Sequence, residues 1–153
     1  MMEVLQQSEF AVVGIEARTS NAREMSPAGL IGRQWGRFMS EELLARIPHR
    51  TDFRILALYT DYESDEHGDY TFIIGAQVSQ VGEIPPGMVV RYVPAGRYAK
   101  FVADDGPPEV VVPGAWKRIW EQPRTPEYAR SYRADFEVYG DGAVNIFVGL
   151  LPL

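Results

Sequence analysis

Apolar positions along the chain recur with two different periods, and the alternation of those periods marks out the elements. Phe10 to Arg18, led by Val12, Val13 and Ile15, reads as a strand that opens a sheet. Thr19 to Met25 is a polar connection, after which Ser26-Pro27 offers an N-cap followed by proline at the first helical position. Leu30, Ile31, Trp35, Phe38, Met39, Leu43, Leu44 and Ile47 then recur at helical spacing, so one helix is predicted from that cap to the stop at Pro48. Gly29, Gly32 and Gly36 weaken it in isolation by up to about 1 kcal/mol each, which close packing on a sheet would offset. Arg54 to Thr60 has the short apolar run of a buried strand, and the polar hairpin loop Glu63 to Asp69 returns the chain as a strand from Tyr70 to Val78.

Past the turn-rich stretch Val81 to Gly87 the same order begins again. Met88 to Val93 and Arg97 to Ala103 are strand-like, separated by Pro94-Ala95-Gly96, and Asp104 to Pro108 leads into a second helix with Pro113 expected in or near its first turn. Val112, Trp116, Ile119 and Trp120 repeat the spacing of Ile31, Trp35, Phe38 and Met39 at an offset of 81 positions. Thr71 to Gly75 corresponds to Asn145 to Gly149, each after a Gly-containing hairpin turn. Helix spacing, strand sequence and element order agree, so the expectation is a duplicated strand-helix-strand-strand unit, with pseudo-repeats of about 1–82 and 83–153 in one domain spanning 1–153. The fold class is α+β: the two units join into one curved antiparallel sheet with both main helices on one face, leaving the opposite face as a ligand groove.

Within the second unit, Tyr132 to Tyr139 is the strand with the most chemistry. Alternation sends Tyr132, Ala134, Phe136 and Val138 to one face and Arg133, Asp135, Glu137 and Tyr139 to the other. Charged strand positions are usually a solvated face. In the first unit, however, the Tyr59 to Tyr62 region occupies roughly the place that Glu137 holds in the second, which would line one groove with aromatics from one half and an acid from the other. A carboxylate near aromatic rings suits a cation with apolar bulk.

Composition narrows the function classes. A net charge of -6, with 15 Lys and Arg scattered among 21 acids, disfavours direct nucleic-acid binding and mildly favours cationic ligands. The absence of cysteine removes disulfides and thiol chemistry, and with no secretory signal or membrane-length apolar run in view, a cytoplasmic protein without membrane association is expected. His49 and His67 are isolated, and the acidic loop 63–69 lacks the register of a Ca²⁺ loop, so no metal site and no cofactor are predicted.

The motifs Val93-Pro94-Ala95-Gly96-Arg97-Tyr98, Trp116-Lys117-Arg118-Ile119-Trp120 and Asp135-Phe136-Glu137-Val138-Tyr139 resemble the gyrase-inhibitor-like superfamily of small-molecule effector-binding domains. Ala17-Arg18-Thr19-Ser20-Asn21, Glu24-Met25, Tyr59 to Asp65 and Gly68-Asp69-Tyr70 look like its branch of stand-alone integron-cassette effector-binding proteins. That resemblance implies a hydrophobic groove for bulky, often cationic and aromatic compounds, with the glutamate matched by Glu137 facing the ligand. Larger relatives carry a DNA-binding helix-turn-helix; none is expected here, so any regulatory role would run through a separate transcription-regulator partner.

The expected ligand-binding set is therefore Glu137 with walls drawn from Tyr59, Tyr62, Trp35, Tyr98, Trp116 and Tyr139, and Asp135 as a second contact or a rim charge. Two alternatives stand beside a binding protein. One is a hydrolase of strained, cyclopropane-type electrophiles with Glu137 as general base, as some members of the superfamily are. The other is an adaptor that binds another protein.

Overall fold

A computed structural model describes residues 2–153. Eight strands, β1 (Glu3–Gln7), β2 (Phe10–Ser20), β3 (Ile55–Thr60), β4 (Asp69–Val78), β5 (Val89–Val93), β6 (Gly96–Val102), β7 (Arg130–Tyr139) and β8 (Asn145–Leu150), form one antiparallel sheet in the order β1-β6-β8-β7-β3-β4-β2-β5. The helices are α1 (Asn21–Glu24), α2 (Ile31–Ser40) and α3 (Pro108–Trp120), with a 3-10 turn at Leu43–Arg46.

Duplication is visible in this order. Strands β3-β4-β2 with α2 form one half, β7-β8-β6 with α3 form the other, and β3 pairs with β7 at the centre. The strand that leads each half crosses over: β1 pairs with β6 and β5 with β2, so each half supplies the outer edge of the other. Strand β1 has no counterpart in the sequence prediction, because Glu3–Gln7 carries only two apolar residues and is mostly exposed.

The first helix is shorter than its apolar periodicity predicts. Ser20 rather than Ser26 acts as an N-cap, for the four-residue α1, and α2 begins at Ile31 with no side-chain cap of its own. Its free N–H groups are met from outside: Glu24 accepts from Leu30 N at 2.8 Å and from Ile31 N at 3.0 Å, and Thr19 donates to the same carboxylate. A left-handed Glu42 (φ 51°) ends the helix early, and the 3-10 turn carries Leu43 into the core, with Ile47 buried just beyond it. In the second half, Pro107-Pro108 starts α3, which places Pro113 one full turn inside the helix rather than in its first turn. There its missing N–H leaves the Glu109 carbonyl without its helical partner.

Both main helices lie on one face of the sheet, as expected. Around α2 the core gathers Phe38, Leu43, Ile47, Phe72 and Ile74; around α3 it gathers Val112, Ile119, Ile146 and Val148. The helix-free face is not a groove. It is a third apolar core of Val12, Leu56, Leu58, Ile73, Phe136 and Val138, in which Phe136 stacks on Phe147 at 4.7 Å and meets Phe10 and Tyr98 edge-on at 5.4 and 5.5 Å. Phe10 lies three strands away from Phe136, so this contact requires the sheet to curl around its helix-free side. The curl fills that side with the sheet's own rings, of which fully buried Phe136 contributes roughly 1.5–3 kcal/mol. No helix of the described residues is long and apolar enough to cross a membrane.

Candidate functional site

Glu137 lies near the middle of the sheet, opposite Ala57, on the face that carries the helices. Strand registers identify its counterpart in the first half. Tyr59 pairs with Phe72 as Glu137 pairs with Ile146, and Phe72 and Ile146 are the repeated positions. The two counterparts meet: the Tyr59 hydroxyl donates to Glu137 Oε2 at 2.8 Å. The indole Nε1–H of Trp116, from α3, donates to the same oxygen at 2.6 Å, and Tyr139 donates to Oε1 at 2.6 Å.

With 1% of its surface exposed, Glu137 is sealed from solvent. Burial raises its pKa above the ordinary carboxylate value, and the three donors, Tyr139, Trp116 and Tyr59, pull only partly the other way. Burial, with the neighbouring Glu137 charge, pushes the Tyr59 phenol well above its usual value, so it remains a protonated donor.

Directly over this cluster is a recess of about 120 Å³ on the helix side of the sheet, between α3 and the approach to α2. Tyr59, Tyr62, Tyr70 and Trp116 line it, with Glu66 and Arg130. The rings pack on one another at an angle: Tyr59 with Trp116 at 5.3 Å and Tyr62 with Tyr70 at 5.7 Å. Glu137 is one layer below, covered by Tyr59 and Trp116. Of the expected walls, Tyr59, Tyr62 and Trp116 come together here. Tyr139 reaches Glu137 from the α2 side, where half-buried Trp35 packs edge-on against it at 4.6 Å. Tyr98 does not belong to this recess: it points to the helix-free face and donates to the Pro94 carbonyl at 2.6 Å.

Asp135 is not a rim charge. It is fully buried and accepts from Arg130 Nη2 at 2.8 Å, from Gly149 N at 2.8 Å and from the Tyr62 hydroxyl. Alternation puts it on the same covered face as Glu137, and an irregularity in β7 brings its partners over it: the pairing with β8 slips between Arg130 and Asp135, and Tyr132 takes a left-handed backbone (φ 53°). Five residues of β7 span the space of two on β8, and this slip by three, an odd number, reverses the faces upstream of it. Tyr132, expected beside Phe136, instead packs against Tyr62 at 5.9 Å, whereas Arg133, expected beside Glu137, lies near Tyr98 on the other side. Arg130 swings onto the helix side with it, its guanidinium 4.6 Å from the Tyr132 ring and 6.0 Å from that of Trp116. Burial alone would lower the Arg130 pKa, but Asp135 more than offsets this and keeps it charged.

Arg130, Tyr70, Glu66 and Glu24 are among the lining residues that sequence reasoning missed. Tyr70 stands at a predicted strand start and Glu66 in a predicted polar loop, so neither carried a signal. Among the described residues no His, Asp and Glu side chains converge as a metal site.

Comparison with known proteins gives a consistent set of relatives. The family model Cass2, integron-associated effector binding protein, matches residues 3–150. The protein named Putative transcriptional regulator protein YobU, from Bacillus subtilis strain 168, is 34% identical over 146 residues, covering 90% of this chain and 89% of that protein. The integron cassette protein VCH_CASS2 of Vibrio cholerae superposes with a TM-score of 0.79 at 30% identity, over 98% of this chain and 95% of its own. SAV2435, solved bound to tetraphenylphosphonium, shares the fold with a TM-score of 0.78 at 19% identity, over 97% and 92% of the two chains. A duplicated sheet with an aromatic recess on its helix side, matched along nearly its whole length, thus belongs to the integron-associated effector binding proteins, a family with a small-molecule binding role.

Proposed function

We propose that this protein binds bulky amphipathic cations, aromatic ones above all, in the recess between α3 and the approach to α2, with Glu137 as the balancing charge. One observation carries this reading: a cage of aromatic rings stands directly over a carboxylate that has been removed from water. A buried carboxylate is costly unless a cation compensates it or a proton neutralises it, and a lipophilic cation offers both the charge and the apolar surface. Ring faces add about 0.5–2 kcal/mol for each well-placed cation–π contact. The tetraphenylphosphonium held by SAV2435 on the same fold supports this ligand class.

Pockets for drug-sized ligands run to about 300–1,000 Å³. At about 120 Å³ the recess is smaller, so a triaryl cation has to displace Trp116 or Tyr59 from above Glu137. Those two side chains therefore act as stand-in partners, donating to the carboxylate until a cation takes their place. The hydrolytic alternative would require Glu137 to activate a water, and no observation favours it, since all three of its partners are donors. Any regulatory role would make this chain the ligand-sensing part, acting through a separate partner.

Quenching of tryptophan fluorescence on titration with tetraphenylphosphonium tests the reading. The expected dissociation constant is on the order of 1 μM, about -8 kcal/mol. Glu137→Gln keeps the side-chain shape and removes the charge, and should weaken binding at least about ten-fold, in line with the loss of a buried charge partner. Equal affinity in the variant would remove Glu137 from the site, and no binding by the wild type would overturn the proposal itself.

A further inference from the structure

Arg130 is a permanent cation built into the wall of a recess that, on the reading above, receives a cation. Its side chain is 7% exposed, and its guanidinium lies between the rings of Tyr132 and Trp116. Only Nη2 meets Asp135, at 2.8 Å, in place of the two-pronged pairing that a guanidinium and a carboxylate can form. Asp135 also accepts from Gly149 N and from the Tyr62 hydroxyl. Arg130 Nε is buried without an acceptor among the described residues. A buried donor left unpaired is costly, more so on a charged group, and any ligand atom that satisfies it recovers that cost.

We infer that the recess selects cations that carry a hydrogen-bond acceptor, such as a carbonyl or ester oxygen, placed to meet Arg130 Nε while the cationic centre is balanced by Glu137. The inference rests on the cation-binding reading and adds a second determinant to it. The recess has two poles. Glu137 and the ring faces hold the positive centre, and Arg130, its charge balanced by Asp135, donates to an acceptor at the other wall. Apolar cations without an acceptor fill the cage and leave the donor unmet.

Two monocations of matched length separate the poles: heptyltriphenylphosphonium and (4-ethoxy-4-oxobutyl)triphenylphosphonium, which differ in an ester group within the chain. Each is titrated into the wild type and into Arg130→Lys, which keeps a positive charge beside Asp135 and removes the Nε–H. The readout is the ratio of the two affinities, in which the general hydrophobicity of each probe cancels between proteins. A hydrogen bond to a charged donor predicts that the ratio favouring the ester falls about ten-fold in the variant. An unchanged ratio overturns the inference and leaves the cation reading standing, whereas failure of both probes to bind the wild type overturns both. Should Arg130→Lys not fold, the double variant Arg130→Met with Asp135→Asn removes the ion pair as a unit and must show the same fall.

Discussion

Glu137 is a carboxylate that three donors, Tyr59, Trp116 and Tyr139, keep hydrogen-bonded while the fold keeps it from water. Its raised pKa makes it a pH-dependent term in stability, and the sign follows from the shift. The folded state holds the proton more tightly than the unfolded chain, whose value is near 4.5. This contribution is therefore fully present below that value and is lost as pH rises through the folded value. Asp52, whose pKa is lowered chiefly by its hydrogen bond to Arg54, contributes with the opposite sign. Comparing wild type with Glu137→Gln isolates the glutamate. In urea denaturation the stability of the wild type relative to the variant should fall as pH rises above about 4.5, by at most about 1.4 kcal/mol per pH unit. A difference that is flat with pH would mean that burial does not control the Glu137 proton. At this scale the sequence was partly legible: the acid and its aromatic neighbours stood out by alternation, but a strand pattern cannot tell a solvated face from one covered by Trp116.

Among the elements, α2 depends on a residue outside it. Glu24 bonds the first two free N–H groups at the helix entrance and holds the Thr19 hydroxyl, and it also lines the recess. Glu24→Ala should lower the unfolding free energy by about 1–2 kcal/mol, the usual cost of losing an N-terminal cap. Hydrogen exchange at the amides of Leu30 and Ile31 should accelerate in the same variant, and unchanged exchange there would show that the helix start is held by packing alone. Sequence reasoning placed the cap at Ser26-Pro27 because that dipeptide matches the local rule. The actual cap comes from six and seven residues upstream of the groups it serves, and no local pattern carries that distance. The irregularity around Tyr132 escaped for a related reason: period-two alternation is a property of regular strands, and a slip by an odd number of residues reverses it.

Across the whole molecule, the curl of the sheet decides which face is open. Gly14 and Gly75 are paired residues of β2 and β4, and a Cβ on either would run into the partner strand, at the Ile74 and Val13 carbonyls respectively. With no side chain at either position the two backbones close up, and the start of β2 turns toward the helix-free side, where Phe10 reaches Phe136. Gly14→Ala or Gly75→Ala should cost more than about 3 kcal/mol, because the clash is with backbone and not with a flexible side chain. Thermal denaturation reads the outcome, and a variant melting within a few degrees of wild type would show that the strands can separate without loss. The sequence indicated a two-layer arrangement with a groove on the free face. The free face is instead filled, and the recess lies between the helices.

Duplication, the pairing of an acid in one half with aromatics in the other, and the class of fold follow from the sequence alone, because hydrophobic period and repeated order are written along the chain. Tertiary structure alone decided that Tyr59 and Glu137 are in direct contact, that Asp135 is neutralised by Arg130, and that Tyr98 faces away from the recess. Those outcomes depend on strand register, on a three-residue slip in β7 and on the curl of the sheet. Each is a long-range consequence of how the two halves close on one another, and none is encoded in the spacing of neighbouring residues.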